Sequence, residues 1–241
     1  MKGIYEVKLL NRREVALNTV AFEFEKPTGF DYLPGQYVDL KILDSIVADE
    51  KGLSRDISIA SAPHEPNLLF VTRLRGSAFK NFLINAPIGA AIELKGPSGS
   101  FVLPSESSKP IVLIAGGIGI TPFRSMASHA AHIRAPFKVF LFYANRRSED
   151  APFLEELKLL QSENPNYQLI ATITKPETSK LKWAGERGYV NNDMISRFVD
   201  NLNSASYYIA GPPAMVQGVW QNLKLGGVAD ENLRTEEFAG Y

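Results

Sequence analysis

The chain has 241 residues, with 26 basic and 26 acidic side chains and no cysteine. That length suits one large domain or two modest ones, and the balanced charge provides no field to draw nucleic acid or a membrane surface. Absence of cysteine excludes disulfides, thiolate catalysis and thiolate-held zinc or iron–sulfur sites, so redox chemistry would have to come from a bound cofactor. No run approaches the ~20 apolar residues of a membrane span, and the amino terminus has no signal-peptide core. A cytoplasmic monomer with a small-molecule partner is expected.

From residue 5 to residue 94 the signals are those of short strands. Runs at 5–10, 15–25, 36–42, 68–74 and 91–96 alternate polar and apolar residues, rich in β-branched and aromatic types, and are divided by Pro27, Gly29, Pro34, Gly35, Pro63 and Pro66. This predicts an antiparallel β-barrel or sandwich with one short helix at 78–84. The polar, proline-bounded segment 104–110 (PSESSKP) has no apolar periodicity and marks a domain boundary, giving units 1–104 and 105–241. Strands at 111–115, 138–144, 167–173 and 206–211 then alternate with helices at 121–132, 151–161, 191–200 and 212–225. Alternation of this kind predicts an α/β domain with a parallel sheet and ligands at the carboxyl ends of its strands.

The first of those ends carries the most informative stretch, residues 111–126. Five apolar residues break on Gly116, Gly117 and Gly119 before Ile120, Thr121 and Pro122 open a helix. Glycines there tolerate positive φ and leave room for a pyrophosphate, while the helix start offers unpaired N–H groups and Pro122 fits its first turn. The alternative is a tight strand-to-helix turn that binds nothing. Gly211, Pro212, Pro213, Ala214 and Met215 follow the strand at 206–211 in the same way.

In the barrel half, Arg55, Asp56, Ile57 and Ser58 lie along a strand-like stretch. An arginine there offers a forked cation to phosphate or carboxylate, and a serine offers a hydroxyl to a heteroaromatic nitrogen; an exposed ion pair and a packed serine explain the residues equally well. Arg73 and Arg75 precede Gly76, Ser77 and Ala78 at the start of the helix, a second place suited to phosphate.

Taken together, these motifs resemble the ferredoxin-NADP reductase superfamily, which includes flavin reductases and the reductase components of oxygenases. Residues 34–38 (PGQYV) are similar to its P-G-Q-[FY]-V, residues 55–58 to its R-x-[YF]-S flavin signature, Gly76-Ser77 to its flavin pyrophosphate loop and residues 96–101 to its G-P-x-G-x-F. Residues 116–122 are similar to its nicotinamide loop G-[GT]-x-G-x-x-P, and residues 210–215 to its C-G-P-x-x-M. The resemblance covers nearly the whole chain in the family's order. It implies a flavin-binding barrel, an NAD(P)-binding α/β domain, and hydride transfer from NADPH or NADH to FAD, with FMN as the alternative. Electrons would then pass to a ferredoxin, flavodoxin or oxygenase partner. Rival outcomes are reduction of free flavin or another small acceptor, and a non-catalytic flavin-binding redox sensor or subunit.

On this resemblance Arg55, Asp56, Ile57, Ser58, Arg73, Gly76, Ser77 and Ala78 are the flavin-site residues, with Ser58 near flavin N5. The nicotinamide site takes Gly116, Gly117, Gly119, Ile120, Thr121, Pro122, Asn145, Arg146, Arg147, Gly211, Pro212 and Met215, with an arginine of the Arg146-Arg147 pair meeting a 2′-phosphate or simply solvated. At the carboxyl terminus Glu237 with Phe238 or Tyr241 is expected beside the flavin; the alternative is a frayed tail. Ile57 stands where the family usually has an aromatic, Ala210 where it often has cysteine, and no cysteine-bearing extension is present, so electrons are expected to leave directly from the flavin. His129 and His132 share a helix face and read as surface residues, and no metal is expected.

Overall fold

The computed structural model describes residues 2–43 and 52–238. Its first unit contains β1 (Gly3–Ala16), β2 (Thr19–Glu25), β3 (Tyr37–Lys41), β4 (Ser54–Ser58), β5 (Asn67–Arg73), α1 (Ala78–Asn85) and β6 (Ala91–Ser98). The strands form one antiparallel sheet in the order β4-β3-β6-β1-β2-β5. Its two edges, β4 and β5, meet just beyond Ser58, where Ala60 N donates to Leu69 O at 2.8 Å and Leu69 N donates to Ser61 Oγ at 3.0 Å. The sheet curls around a core of Phe22, Phe24, Phe70, Leu40, Leu94 and Phe79 from α1. The run expected as one strand at 15–25 is a hairpin: Asn18 adopts φ 53, a conformation asparagine tolerates better than most residues, and the chain reverses between Ala16 and Thr19.

The second unit runs β7 (Ile111–Gly116), α2 (Ile120–His132), β8 (Val139–Asn145), α3 (Leu154–Glu163), β9 (Tyr167–Ile173), β10 (Glu186–Arg187), α4 (Asn192–Ser196), β11 (Ser206–Gly211), α5 (Pro213–Leu225) and β12 (Leu233–Glu237). All six strands pair in parallel, in the order β10-β9-β8-β7-β11-β12. Every residue of β7 is buried, as expected of a parallel strand covered on both faces. Helix α4 is shorter than the predicted 191–200. Asn191 caps it, and the chain then tightens through Phe198 N to Ile195 O, bringing Phe198 edge-on to Phe142 at 5.8 Å. The carboxyl terminus, for which the alternation predicts no strand, adds β12 to the edge of the sheet.

The order of the sheet reverses at β7, since β8, β9 and β10 build outward on one side and β11 and β12 on the other. Such a switch point leaves a crevice at the carboxyl ends of the two central strands. The barrel packs close by: Ala60, Leu69 and Val71 join α2, α3 and Tyr208 in one continuous buried cluster. Across this junction Arg124 of α2 pairs with Glu65 at 2.9 Å, and His132 stacks on His64 with centroids 3.9 Å apart. Among the described residues, no helix is long and apolar enough to cross a membrane.

Candidate functional site

On the barrel side, β4 carries Arg55 toward the first turn of α1. Its Nη1 donates to Gly52 O at 2.9 Å and Ser54 O at 2.7 Å, and the guanidinium lies 5.4 Å over the Phe79 ring. Ser77 caps α1, its Oγ accepting from Lys80 N at 3.3 Å. No acidic residue occupies the first turn. A cation and a helix start therefore share one end of the barrel. The neighbouring strand residues divide by alternation: Asp56 is exposed opposite Asp39, and burial followed by that like charge raises its carboxyl. Ile57 packs into the barrel core and is 8% exposed, while Ser58 is buried on the other face at 5%. Arg73 turns its charge toward the second unit, where burial raises the Tyr143 hydroxyl against an Asn145 hydrogen bond and the Arg73 guanidinium. Gln36 ties two of the family-like motifs together, accepting from Leu33 N at 2.8 Å and donating to Gly99 O at 3.1 Å.

The glycine-rich loop is more specialised than its sequence suggests. A Cβ on Gly117, at φ +54, meets nothing within 4 Å, whereas one on Gly119 would lie 2.3 Å from Ala210 O. Gly117 is thus the open face of the loop, and Gly119 lets α2 start against β11. Gly116 and Gly211 likewise lie against the Met215 thioether, not against open space. Room for a ligand, expected of all these glycines, exists at Gly117 because protein already fills the rest. Ile120, Thr121 and Pro122 are buried, and Thr121 Oγ1 donates to Ile118 O at 3.1 Å. Those three residues support the loop from behind. Pro212 opens α5 as its cap.

Beyond β8, Arg147 forks onto Asp150 at 2.9 and 2.7 Å, and Glu149 lies 3.9 Å away. Glu149 is held down to about 2 by its own backbone N–H and by the Ser179 hydroxyl. Arg147 is therefore occupied by its own loop, and the exposed Arg146 is the member of the pair that faces solvent. His132 is exposed, with its ring stacked on His64, while His129 is half-buried. His129 Nδ1 is buried without a partner, and burial, then the charges of His64 and His132, lower its pKa. Among the described residues no group of three side chains is arranged to hold a metal.

The carboxyl-terminal strand separates two neighbouring acids. Glu237 is exposed, and alternation puts it on the face opposite Glu236. Arg234, Glu236 and Phe238 share the other face, with Arg234 5.2 Å over the Tyr208 ring and Phe238 packed against the cluster that joins the two units. Phe238 N donates to Gly211 O at 2.9 Å, which fastens the strand end beside the Gly117 loop. Glu236 Oε2 is buried with no partner among the described residues, and burial raises its carboxyl to about 7. Of the two acids, Glu236 is the one on the face of β12 that carries Phe238. Pairing of β12 with β11 is what separates the two. Tyr241 lies outside the described residues.

Among the described residues, Thr72 Oγ1, Asn145 Oδ1 and Glu236 Oε2 are buried side-chain atoms without partners on the side of the junction that carries the Gly117 loop and the strand ends. Buried groups of this kind are normally satisfied, so they mark where further hydrogen-bonding groups fit. With the open Gly117 loop and the Arg55 end of α1, they suit a flavin and a nicotinamide dinucleotide approaching from the two sides. Fold and site therefore define a two-unit oxidoreductase that binds both cofactors.

Comparison with known proteins reaches the same class. The oxidoreductase FAD-binding domain family matches residues 6–103, and the oxidoreductase NAD-binding domain family matches residues 113–221. The chain is 28% identical over 239 residues to the electron transfer component of toluate 1,2-dioxygenase from Pseudomonas putida, covering 98% of this chain and 68% of that protein. It is 27% identical over 225 residues to the glycine betaine monooxygenase reductase subunit of Chromohalobacter salexigens, covering 92% of this chain and 60% of the relative. In fold it matches a ferredoxin NADP+ reductase from Neisseria gonorrhoeae with bound FAD and NADP, with a TM-score of 0.80 at 20% identity over 97% of this chain and 98% of the other. The two families together account for most of residues 6–221, so the chain belongs to the oxidoreductases that join an FAD-binding domain to an NAD-binding domain. It spans 40 to 68% of the length of the curated relatives it matches.

Proposed function

We propose that this chain, with units 1–104 and 105–241, takes a hydride from NADH or NADPH onto FAD and delivers the electrons to a ferredoxin, flavodoxin or oxygenase partner. The observation that carries the reading is the meeting of the Gly117 loop, Glu236 and Phe238 with the barrel edge at the switch point of the parallel sheet. FAD, when bound, supplies the capacity to accept two electrons together and release them singly. The chain's own residues bind and orient. Arg55 and the N–H groups at Ser77 and Ala78 hold pyrophosphate, with Gly76 in the turn, and Ser58 offers its hydroxyl to the ring. Backbone N–H groups at Gly117 receive the dinucleotide phosphates, and Asn145 and Arg146 lie along its path over β8. Phe238 covers one ring face with apolar surface. Glu236, titrating near 7, holds a proton at Oε2 in the range where general acids work best.

The electron transfer component and reductase subunit named above support a protein acceptor, and the absence of cysteine leaves this chain without thiolate ligands for an iron–sulfur cluster. A monomer working in the cytoplasm, where reduced nicotinamide is available, belongs to the same proposal. The test is anaerobic mixing of purified protein with NADH and with NADPH, following loss of visible flavin absorbance, and then addition of ferredoxin, flavodoxin or free flavin. Rapid bleaching and turnover with a protein acceptor are expected. Turnover with free flavin alone would replace the acceptor, and a flavin that neither nicotinamide reduces would reject the reading.

A further inference from the structure

The two cofactor-facing stretches are joined by an unusually direct linkage. Helix α2 starts from the Gly117 loop, and in its second turn Arg124 and Ser125 reach across to the barrel. Arg124 Nη1 donates to Ala60 O at 2.7 Å and to Glu65 Oε1 at 2.9 Å, while Nη2 donates to Glu65 Oε2 at 3.2 Å and pairs with Glu156 of α3 at 2.6 Å. Ser125 Oγ donates to Ser61 O at 2.6 Å. Ala60 and Ser61 follow Ser58 almost immediately at the exit of β4. One short run of chain therefore connects the nicotinamide loop to the linkage, and another connects it to the flavin strand.

Residues around the guanidinium are arranged to hold it. Arg124 lies 5.1 Å over the Phe153 ring, and Arg13 of β1 stands 6.0 Å from the same ring. Phe153 sits at φ 61, a left-handed conformation that is an outlier for a bulky residue. The turn it makes opens α3, which carries Glu156 to Arg124.

We propose that Arg124, assisted by Ser125, is a positioning residue that fixes the separation and angle between the flavin strand and the nicotinamide loop. The inference rests on the hydride-transfer reading given above. Apolar packing alone would hold the two units together, and buried ion pairs are often no more stabilising than a hydrophobic replacement. What the fork adds is direction. Its planar donors reach a carbonyl and two carboxylates at fixed angles, whereas the surrounding apolar cluster resists sliding only weakly. Hydride transfer is where direction matters, because reacting atoms must approach to about 3 to 3.5 Å and a 1 Å misplacement can cost ~100-fold.

The test is Arg124→Lys in the flavin-loaded protein, which keeps the charge and loses the fork. Flavin content and the NAD(P)+ dissociation constant should stay within about twofold, while the single-turnover rate of flavin reduction falls by about tenfold or more and the charge-transfer absorbance of the nicotinamide complex weakens. Ser125→Ala removes only the bond to Ser61 O and should move the same quantities in the same direction by less; it also serves if Arg124→Lys fails to fold. A rate that falls only in step with flavin loss or weaker binding, or that does not fall, overturns the proposal. Hydrogen exchange at the non-proline amides of 60–65 and 120–125 in flavin-free protein separates the positioning role from the reaction itself. Exchange unchanged by Arg124→Lys overturns the positioning role, whereas wild-type protein that no nicotinamide reduces overturns the hydride-transfer reading.

Discussion

Replacing Glu236 with glutamine tests the electrostatics of the site through stability alone. The Glu236 carboxyl is raised from 4.5 to about 7 by burial, so its charged form is disfavoured in the folded chain. Below about 4.5 both folded and unfolded chains hold the proton, and the residue costs nothing. As pH rises from there, the unfolded chain releases its proton first, and the folded state loses stability until the folded carboxyl has also ionised near 7. The full shift corresponds to a ceiling of ~3 kcal/mol at 1.36 kcal/mol per pH unit. Because Glu236 keeps part of its surface in water, solvent screening reduces this to about 1 to 2 kcal/mol. Glu236→Gln should therefore match wild type at about pH 4 and exceed it at about pH 8 by roughly 3 to 6 °C in Tm. Thermal unfolding followed by circular dichroism across that range measures the difference. A gap that is independent of pH, or that narrows as pH rises, would refute the assignment of a buried, unpartnered carboxyl at this position.

Three further outcomes follow from the site. Gly117→Val should leave flavin binding intact and abolish reduction by either nicotinamide, since a β-branched side chain would fill the open face and resist a positive φ; unchanged reduction kinetics would move the nicotinamide elsewhere. Arg55→Ala should loosen flavin by about tenfold to a hundredfold, the ~1.5 to 3 kcal/mol of a hydrogen bond to a charged group, as read by equilibrium dialysis against apoprotein; equal retention would remove Arg55 from the flavin site. Arg146→Ala should lower kcat/KM for NADPH relative to NADH by about tenfold, whereas Arg147→Ala, whose wild-type fork is engaged by Asp150, should not. The reverse ranking would mean that Arg147 leaves Asp150 when the cofactor arrives.

The two-unit architecture is legible in the amino-acid sequence because its signals are local. Period-two alternation along the first 94 residues and the alternation of apolar runs with helical segments after residue 110 are properties of neighbouring residues, and burial on one or both sheet faces imposes them directly. The glycine loop after β7 is equally visible, because a strand-to-helix turn against a ligand demands residues without side chains. What each glycine does is not visible. Gly119 and Gly117 are alike in sequence, yet one is closed by the carbonyl of Ala210 and the other faces open space, a distinction that depends on β11, some ninety residues away. Pairing of β12 with β11 likewise decides that Glu236 turns inward and Glu237 outward, since nothing within the segment itself sets its phase. His64, His129 and His132 gather at the junction only because the barrel docks on α2, and Arg124 reads in sequence as an ordinary helical arginine until Ala60, Glu65 and Glu156 surround it. Sequence by itself determined the two-unit order, most of the strands and helices and the glycine-rich turn, because those preferences are settled within a few residues; tertiary structure decided the hairpin at 17–18, the edge strand β12 and which side chains turn toward the junction, because these depend on contacts between segments far apart in the chain.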